Sequence, residues 1–459
     1  MSLEAGTGFY YGSRLLQPVG DALGLSIDQT NFIACQLTAI IIAIPFRSLL
    51  HPANVSPTVR HIFEIIMGFI LLSFCFGSQA IHVFLQAILC YTAMHILPSR
   101  VHVVCFIISL GYLSVLHIYR MVYDYGGYTL DITGPLMITT QKLSDLAFSL
   151  HDGMVKKEED LNPSQLKYAL KRNPSLIELL SYVLSFHNVM IGPCIFYKDY
   201  YDFITGKNIG LGKAKYKTRA LKNTVICGVC VYIFLILSPQ YPPNFREESY
   251  LNASFLYKVA YMVFAITLVR ARYYFAWCLA ELTNIIAGLG FNGLLEDGTE
   301  DWSIINNANI LGVETCTSMK ICMDSWNIST LAWLRRTVYE RAYKFNTLAV
   351  FTVSAFWHGF YPGYYLAFFT GALFIEANRS IRRFIRPYFQ ASKISILIYD
   401  AITFVGTRCC CAYMVVPMLI YEFKPTVAVY MSQYCWMHIL GLAAVIFLPR
   451  RPSSRAKAS

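Results

Sequence analysis

The sequence predicts an all-α polytopic membrane protein, built as a single domain over residues 1–459. Two observations support this prediction. Only 14% of the 459 residues are charged and 56% are hydrophobic, whereas soluble globular domains are roughly 25% charged. Apolar runs that approach the ~20 residues of a spanning helix recur along almost the whole chain. Such a pattern is typical of a bundle of membrane helices.

Basic residues indicate which loops face the cytosol. The chain holds 38 Lys+Arg against 27 Asp+Glu, a net charge of +11, and the excess lies in loops between helices and in the C-terminal tail. In a membrane protein such an excess is typical of cytosolic loops that meet anionic lipid headgroups. Membrane lipids are therefore expected partners, and nucleic acid is not. The 14 cysteines form no pattern of zinc ligands, so no metal site is expected.

The first half of the chain opens with a polar and aromatic lead over residues 1–30. Apolar length then predicts four spans, of which the second and third are short and closely joined, as in a tilted hairpin. These spans cover residues 31–46, 62–77, 79–97 and 101–119. Residues 131–150 follow an amphipathic helical repeat, which fits either a helix inside the bundle or one on its surface.

The second half alternates apolar runs with charged loops. The basic loop 198–222 is expected in the cytosol, and the loop with the sequon at Asn252 on the lumenal side. Spans are predicted at 176–196, 223–238, 255–269, 273–291, 396–420 and 427–448, and residues 450–459 form a basic cytosolic tail. The acidic loop 294–325 can be placed on neither side, because no predicted span separates it from the basic residues after it.

One histidine lies deep in an apolar stretch near residue 358. The stretch runs from about residue 348 to 375 and is broken by Gly359, Pro362 and Gly363. Broken helices at membrane depth occur where the freed backbone faces protein or a wet cavity, and an ionisable residue there is a functional candidate. Burial disfavours the imidazolium form, so His358 can act as a general base on an alcohol that attacks a thioester. The alternative is a hydrogen-bonded packing histidine.

The segment before His358 supplies the other groups that acyl transfer needs. Asn327 carries an amide that could stabilise an oxyanion, although it could equally cap a helix or carry a glycan. Arg335 and Arg336 could hold phosphates at the membrane face, or they could be positive-inside anchors.

Taken together, these residues resemble the signature of the membrane-bound O-acyltransferase (MBOAT) family, in particular its lysophospholipid acyltransferase branch. The resemblance rests on Trp326-Asn327-x-x-Thr330-x-x-Trp333-Leu334-Arg335 and Trp357-His358-Gly359-x-x-Pro362-Gly363-Tyr364. Further matches extend over nearly the whole chain, at Thr133-Gly134-Pro135, His151-Asp152-Gly153, Tyr197-Lys198-Asp199-Tyr200 and Tyr273-Tyr274-Phe275. The segment after Asp202, up to about Lys222, looks shorter than its counterparts in the family.

The resemblance implies an enzyme of the endoplasmic reticulum membrane with about eleven transmembrane helices around a central catalytic chamber. His358 would be its catalytic histidine and Asn327 the partner of that histidine. The substrate-binding residues would be Trp326, Thr330, Trp333, Arg335, Arg336, Tyr274, Trp357 and Tyr364. Acyl-CoA, such as oleoyl-CoA, would be the co-substrate, with no permanently bound cofactor.

The acceptor implied by the resemblance is lysophosphatidylethanolamine, lysophosphatidylserine or lysophosphatidylcholine. Two other functions fit the same layout: acylation of a peptide or protein, as other MBOAT members perform, and transport of a lipid or ion, with His358 as gate or proton relay. The oligomeric state, a homodimer included, is left open, because apolar surface against lipid looks like apolar surface against a second subunit.

Overall fold

Helices account for nearly all of the regular backbone in the computed structural model, which describes residues 9–448 except 128, 209–214 and 343. In these residues the only β-type pairing is an isolated antiparallel bridge between Leu294 and Glu300. The all-α prediction is confirmed. The basic tail at 450–459 and the first eight residues of the predicted lead lie outside the described residues.

The first nine helices run from the lead to the basic loop. They are α1 (Gln17–Leu23), α2 (Ile27–Ser48), α3 (Pro57–Phe76), α4 (Ile81–Ile96), α5 (Val101–Tyr123), α6 (Thr133–Met154), α7 (Pro163–Tyr168), α8 (Leu176–Val183) and α9 (Tyr197–Ile204).

Eleven further helices follow. They are α10 (Tyr216–Tyr232), α11 (Glu248–Leu251), α12 (Phe255–Ala287), α13 (Ile310–Glu314), α14 (Met319–Ser325), α15 (Ile328–Leu334), α16 (Asn346–His358), α17 (Pro362–Phe384), α18 (Lys393–Ile420), α19 (Phe423–Ser432) and α20 (Trp436–Phe447).

Six stretches among the described residues are long and apolar enough to cross a membrane, or seven if the bent pair α19 and α20 counts as one span. The polytopic prediction is confirmed, whereas length and composition do not confirm the number eleven. Helices α3 and α4 continue one another as one 40-residue candidate span, Pro57–Ile96. The predicted hairpin is therefore wrong, because residues 77–80, which join the two helices, form a 3₁₀ turn instead of a reversal.

The predicted span at 176–196 is also wrong. Only Leu176–Val183 is helical, and the rest of this apolar run turns inside the protein, where it is almost entirely buried. Its backbone is satisfied by polar side chains from other helices: Glu64 accepts from the N–H of Phe186 at 3.1 Å, and Lys142 donates to the carbonyl of Tyr182 at 2.8 Å. Irregular backbone is tolerated at such depth only with partners of this kind.

The two predicted spans at 255–269 and 273–291 form a single helix, α12, of 33 residues. Arg270 and Arg272 lie in its middle and do not interrupt it. The guanidinium of Arg270 is neutralised by Glu314 at 2.6 Å, which explains how a basic residue remains inside a spanning helix.

Two groups of helices make the core. The first packs α2 to α6 with α8 and α9, and the second packs α12 to α14 with α17 to α20. Helix α6 belongs inside the bundle, with 16 of its 22 residues buried, Lys142 and Asp145 among them. Helix α16 joins the two groups, since it contributes Trp357 to the first core and Phe351 to the second. His358 therefore lies at their junction.

Candidate active site

His358 is the last residue of α16, and Gly359 ends that helix with a φ of +118°. A Cβ atom at position 359 would lie 3.3 Å from the ring of His117. Both the backbone angle and the close approach therefore favour glycine. Helix α17 begins at Pro362, so the predicted break in the apolar stretch is confirmed.

Aromatic rings surround the His358 side chain. The ring centroids of Trp357, Phe368 and Tyr364 lie 4.8, 5.0 and 5.8 Å from the imidazole centroid. A second histidine, His117, is close by. Its Nε2 atom lies 3.1 Å from the carbonyl oxygen of Trp357. Because a carbonyl only accepts, Nε2 of His117 must carry the proton. The His358 ring is half-buried, so a bound molecule can reach it.

His358 opens onto a cavity of about 390 Å³, here named the His358 cavity. Its wall combines aromatic rings with charged groups, and Tyr364 is the other predicted site residue that lines it. Two of its charges are already partnered: the Asp28 carboxylate accepts from the backbone N–H of Leu130 at 2.9 Å, and Arg120 pairs with Asp131 at 2.8 Å. Tyr273, from the Tyr273-Tyr274-Phe275 match, also lines it. Lining residues that the sequence did not single out include His117, Arg120, Arg272, Tyr361 and Tyr421.

Asn327 precedes α15 in a left-handed conformation, with φ +47°. Among residues with a side chain, asparagine is one of those that adopt this conformation most readily. No hydrogen bond to its side-chain amide is found in the described part of the chain, so the amide is available as a donor. Asn327 does not itself line the His358 cavity.

Asn307, which sequence reasoning missed, fixes the start of α15. Its carbonyl accepts from the N–H of Ile328 at 2.8 Å, and its Oδ1 accepts from the hydroxyl of Ser329 at 2.6 Å. The backbone N–H of Asn307 donates to Glu281 at 2.8 Å. This chain of bonds ties the loop that carries Asn327 to α12. An asparagine in a loop gives no sequence signal for such a role.

Trp326 connects the Asn327 loop to the cavity wall. Its ring lies 4.8 Å from that of Trp277 and 5.8 Å from that of Tyr273, centroid to centroid. Tyr273 itself lines the His358 cavity. Trp326 therefore packs against α12 beside Tyr273, a residue that lines the same cavity as His358.

Three predicted substrate-binding residues instead brace the site against α6. Thr330 accepts from Gln141 at 2.8 Å, the indole N–H of Trp333 donates to Ser144 at 2.8 Å, and the indole N–H of Trp357 donates to the carbonyl of Met137 at 2.9 Å. The Trp333 side chain is fully buried. These contacts position α15 and α16 relative to each other.

Tyr274 plays a comparable bracing role on α12. It is buried, and its hydroxyl donates to Glu314 at 2.7 Å. Burial alone would raise the pKa of the Glu314 carboxyl, but the hydrogen bonds from Arg270 and Tyr274 hold that pKa below its ordinary value. Glu314 is thus an ionised anchor between α12 and α13.

Arg336 is buried and pairs with Asp145 at 2.8 Å, and it also donates to Ser149 at 3.1 Å. Its guanidinium is thereby occupied inside the protein, which argues against the predicted role in holding phosphates. Arg335 is exposed and lies 3.3 Å from Glu340.

A second cavity, of about 480 Å³, lies near these arginines. Four basic side chains line it. The rings of two of them, His102 and His151, are tilted relative to each other with centroids 3.7 Å apart. Arg341 in its wall is bonded to Asp152 at 2.7 Å. Within the described ranges, no group of three or more His, Cys, Asp or Glu side chains could hold a metal ion.

Comparison with known proteins places this geometry in context. The family model for the membrane-bound O-acyltransferase family matches residues 118–416. The chain is 40% identical over 461 residues to lysophospholipid acyltransferase 6 of Drosophila melanogaster, covering 96% of this chain but 64% of that protein. It is 40% identical over 463 residues to membrane-bound glycerophospholipid O-acyltransferase 2 of Gallus gallus, at 97% and 89% coverage. Lysophospholipid acyltransferase 1 of Arabidopsis thaliana is 31% identical over 460 residues, at 95% and 98% coverage.

Proposed function

The chain belongs to the membrane-bound O-acyltransferase family, and we propose that it moves a fatty acyl group from acyl-CoA to the free hydroxyl of a lysophospholipid. Relatives that share about 40% identity over almost the whole chain are named for lysophospholipid or glycerophospholipid acylation. The membrane of the endoplasmic reticulum is the proposed location, and phospholipid remodelling is the proposed role. An unsaturated donor such as oleoyl-CoA is the proposed co-substrate.

One observation in the structure carries the proposal. A half-buried histidine ends a broken helix at the junction of two helix groups and opens onto a cavity of about 390 Å³. The aromatic surroundings of His358 favour the neutral imidazole, which can accept a proton. The cavity wall is aromatic with a few charged groups, as an acceptor with an acyl chain and a polar headgroup requires.

His358 takes the proton of the lysophospholipid hydroxyl as that oxygen attacks the thioester carbonyl. A new C–O bond forms, and the carbonyl oxygen becomes an oxyanion. The amide of Asn327 is the proposed donor that stabilises this oxyanion. Collapse of this intermediate breaks the C–S bond. The proton held by His358 then passes to the leaving thiolate, so that phospholipid and free CoA are the products.

Release of free thiol by the purified protein tests the proposal, with oleoyl-CoA and lysophosphatidylethanolamine, lysophosphatidylserine or lysophosphatidylcholine as acceptor. His358→Ala is expected to lower kcat at least about 100-fold, the usual contribution of a general base. Asn327→Ala is expected to lower kcat by about 100- to 1000-fold, as for other oxyanion donors.

His95→Ala provides the matched control, because His95 is an exposed histidine of α4 whose Nδ1 bonds to the carbonyl of Tyr91, one turn earlier in the same helix. It is expected to keep the activity of the unmodified protein. If no lysophospholipid stimulates thiol release from folded protein, the proposed reaction is wrong. If a peptide stimulates release instead, the acceptor class is wrong and the acyl transfer stands.

A further inference from the structure

Arg272 is a charged residue in the middle of a membrane helix. Seventeen residues of α12 precede it and fifteen follow, so it lies roughly 25 Å along the axis from the first residue of the helix. Ionisable residues at such depth are costly, and they face partners or a water-filled cavity. The surroundings of Arg272 therefore indicate what the residue does.

The two arginines of α12 differ in their partners. Arg270 is held by Glu314, as described above. For Arg272, the described residues supply neither a carboxylate within ion-pair distance nor a hydrogen-bond acceptor, and its guanidinium lies only over the ring of Tyr273, 5.3 Å from the centroid. The Arg272 side chain is exposed and lines the His358 cavity.

Arg272 is thus the arginine in this cavity wall whose charge the described residues leave uncompensated. Arg120 is neutralised by Asp131 at 2.8 Å and by Asp124 at 3.5 Å. A guanidinium without an ion-pair partner, in the wall of the cavity that Tyr364 and His358 also line, favours an anion in that space.

The proposed acceptor carries such an anion. In a lysophospholipid the phosphate is separated from the reacting hydroxyl by only a few covalent bonds, so a hydroxyl placed at His358 brings the phosphate into the His358 cavity. Arginine binds phosphate oxygens through two parallel N–H donors. We propose that Arg272 binds the phosphate of the lysophospholipid and so orients its hydroxyl toward His358, an inference that rests on the proposed function.

Acyl-CoA also carries phosphates that an arginine such as Arg272 could bind. They are separated from the thioester by the long pantetheine arm, so a carbonyl at His358 places them well outside a cavity of 390 Å³. The inference is therefore specific to the acceptor.

Steady-state kinetics test the inference. The variants are Arg272→Gln, Arg272→Lys and one control, each made in the whole chain. Loss of a hydrogen bond to a charged group corresponds to about 10- to 100-fold in binding. Arg272→Gln is expected to raise the KM for the lysophospholipid by this factor and to leave the KM for oleoyl-CoA unchanged. Arg272→Lys is expected to recover part of the loss. The control is Arg383→Gln, which removes an exposed charge at the end of α17, and it is expected to change neither constant.

In a second experiment the acceptor is monoacylglycerol, which has the hydroxyl but no phosphate. The preference of the unmodified protein for lysophospholipid over monoacylglycerol is expected to fall about 10-fold or more in Arg272→Gln, without loss of the monoacylglycerol rate. A rise in the KM for oleoyl-CoA instead, or an equal loss with both acceptors, overturns the inference, because the residue then binds CoA or only supports the fold.

Binding measured without turnover separates this inference from the proposed function. Lysophospholipid affinity of the His358→Ala protein is compared with that of the same protein carrying Arg272→Gln as well. Equal affinities overturn the inference even if the unmodified protein is active. If the unmodified protein acylates nothing but affinity still depends on Arg272, the phosphate site stands and the proposed reaction fails.

Discussion

Arg335 and Arg336 are neighbours in the chain but lie in opposite surroundings. Arg336 is 3% exposed, and its partner Asp145 is 1% exposed, whereas Arg335 is open to solvent beside Glu340. A buried ion pair is costly to break because the remaining charge is left without compensation, while an exposed pair contributes little. At this scale the burial of each side chain decides its role, and residue type does not.

Asp145→Asn is expected to destabilise the protein by about 3 kcal/mol, because it leaves the buried guanidinium of Arg336 uncompensated. Thermal unfolding in detergent measures this effect. Arg335→Gln is the control, and its change is expected to stay within about 1 kcal/mol. Equal melting temperatures for Asp145→Asn and the unmodified protein would show that the buried pair is not structural.

Asp199 in α9 is expected to make stability depend on pH. Burial raises the pKa of its carboxyl from 3.8 to about 6, Asp202 adds to this rise, and Lys167 opposes it. Since the folded state holds the proton more tightly than the unfolded state, the contribution of Asp199 favours folding at low pH. That contribution is lost as the pH rises through about 6.

Asp199→Asn is therefore expected to raise the melting temperature at pH 7.5, by an amount equivalent to about 2–3 kcal/mol. The difference from the unmodified protein is expected to shrink as the pH falls from 7 to 5. Melting curves of both proteins over this range check the prediction. A difference that stays constant with pH would mean that Asp199 titrates at its ordinary value.

At the scale of elements, the junction between α16 and α17 presents His358. The helix stops because Gly359 adopts a φ of +118°, and α17 restarts at Pro362, whose fixed φ suits a first helical position. The indole of Trp357 ties the end of α16 to α6. The direction of the imidazole therefore depends on where the helix ends.

Gly359→Ala is expected to lower kcat about 10-fold or more, because the added methyl group needs an unfavourable φ and approaches the ring of His117. Gly228→Ala is the matched control, since Gly228 is an exposed glycine inside α10 whose Cβ would meet nothing within 4 Å. It is expected to retain activity and stability. Full activity in Gly359→Ala would show that the helix end can shift without displacing His358.

At the scale of the whole molecule, the single helix α12 decides where the acidic loop after it lies. Because α12 crosses once, its end returns to the end of the bundle where α10 begins. Contacts agree with this: the backbone N–H of Lys215 donates to Glu300 at 2.6 Å, and the ring centroids of Tyr216 and Trp302 are 5.3 Å apart. The acidic and basic loops therefore lie together.

Labelling with a membrane-impermeant maleimide in sealed vesicles tests this arrangement. Cysteines introduced at the exposed positions Lys217 and Asp297 are expected to react from the same side, and a cysteine at the exposed Ser249 only from the other. The unmodified protein gives the background from its own cysteines. Opposite reactivity at positions 217 and 297 would contradict a single crossing by α12.

Composition and motif spacing alone determined the helical membrane class, the family resemblance and the segments around Asn327 and His358. These features are local: apolar run length, a helix break at glycine and proline, and residue types at fixed spacing can all be read along the chain. The break after His358 lies where the sequence placed it.

The tertiary structure alone decided which polar groups are partnered inside the bundle. The run at 176–196 looks like a span, but it turns because Glu64 and Lys142 satisfy its backbone. Arg270 and Arg272 look like a loop, but they stay helical because Glu314 neutralises one and a cavity receives the other. Hydropathy along the chain reflects the cost of placing a polar group inside the bundle. The partner that offsets this cost lies far away in the chain, so it is identified only once the helices are packed.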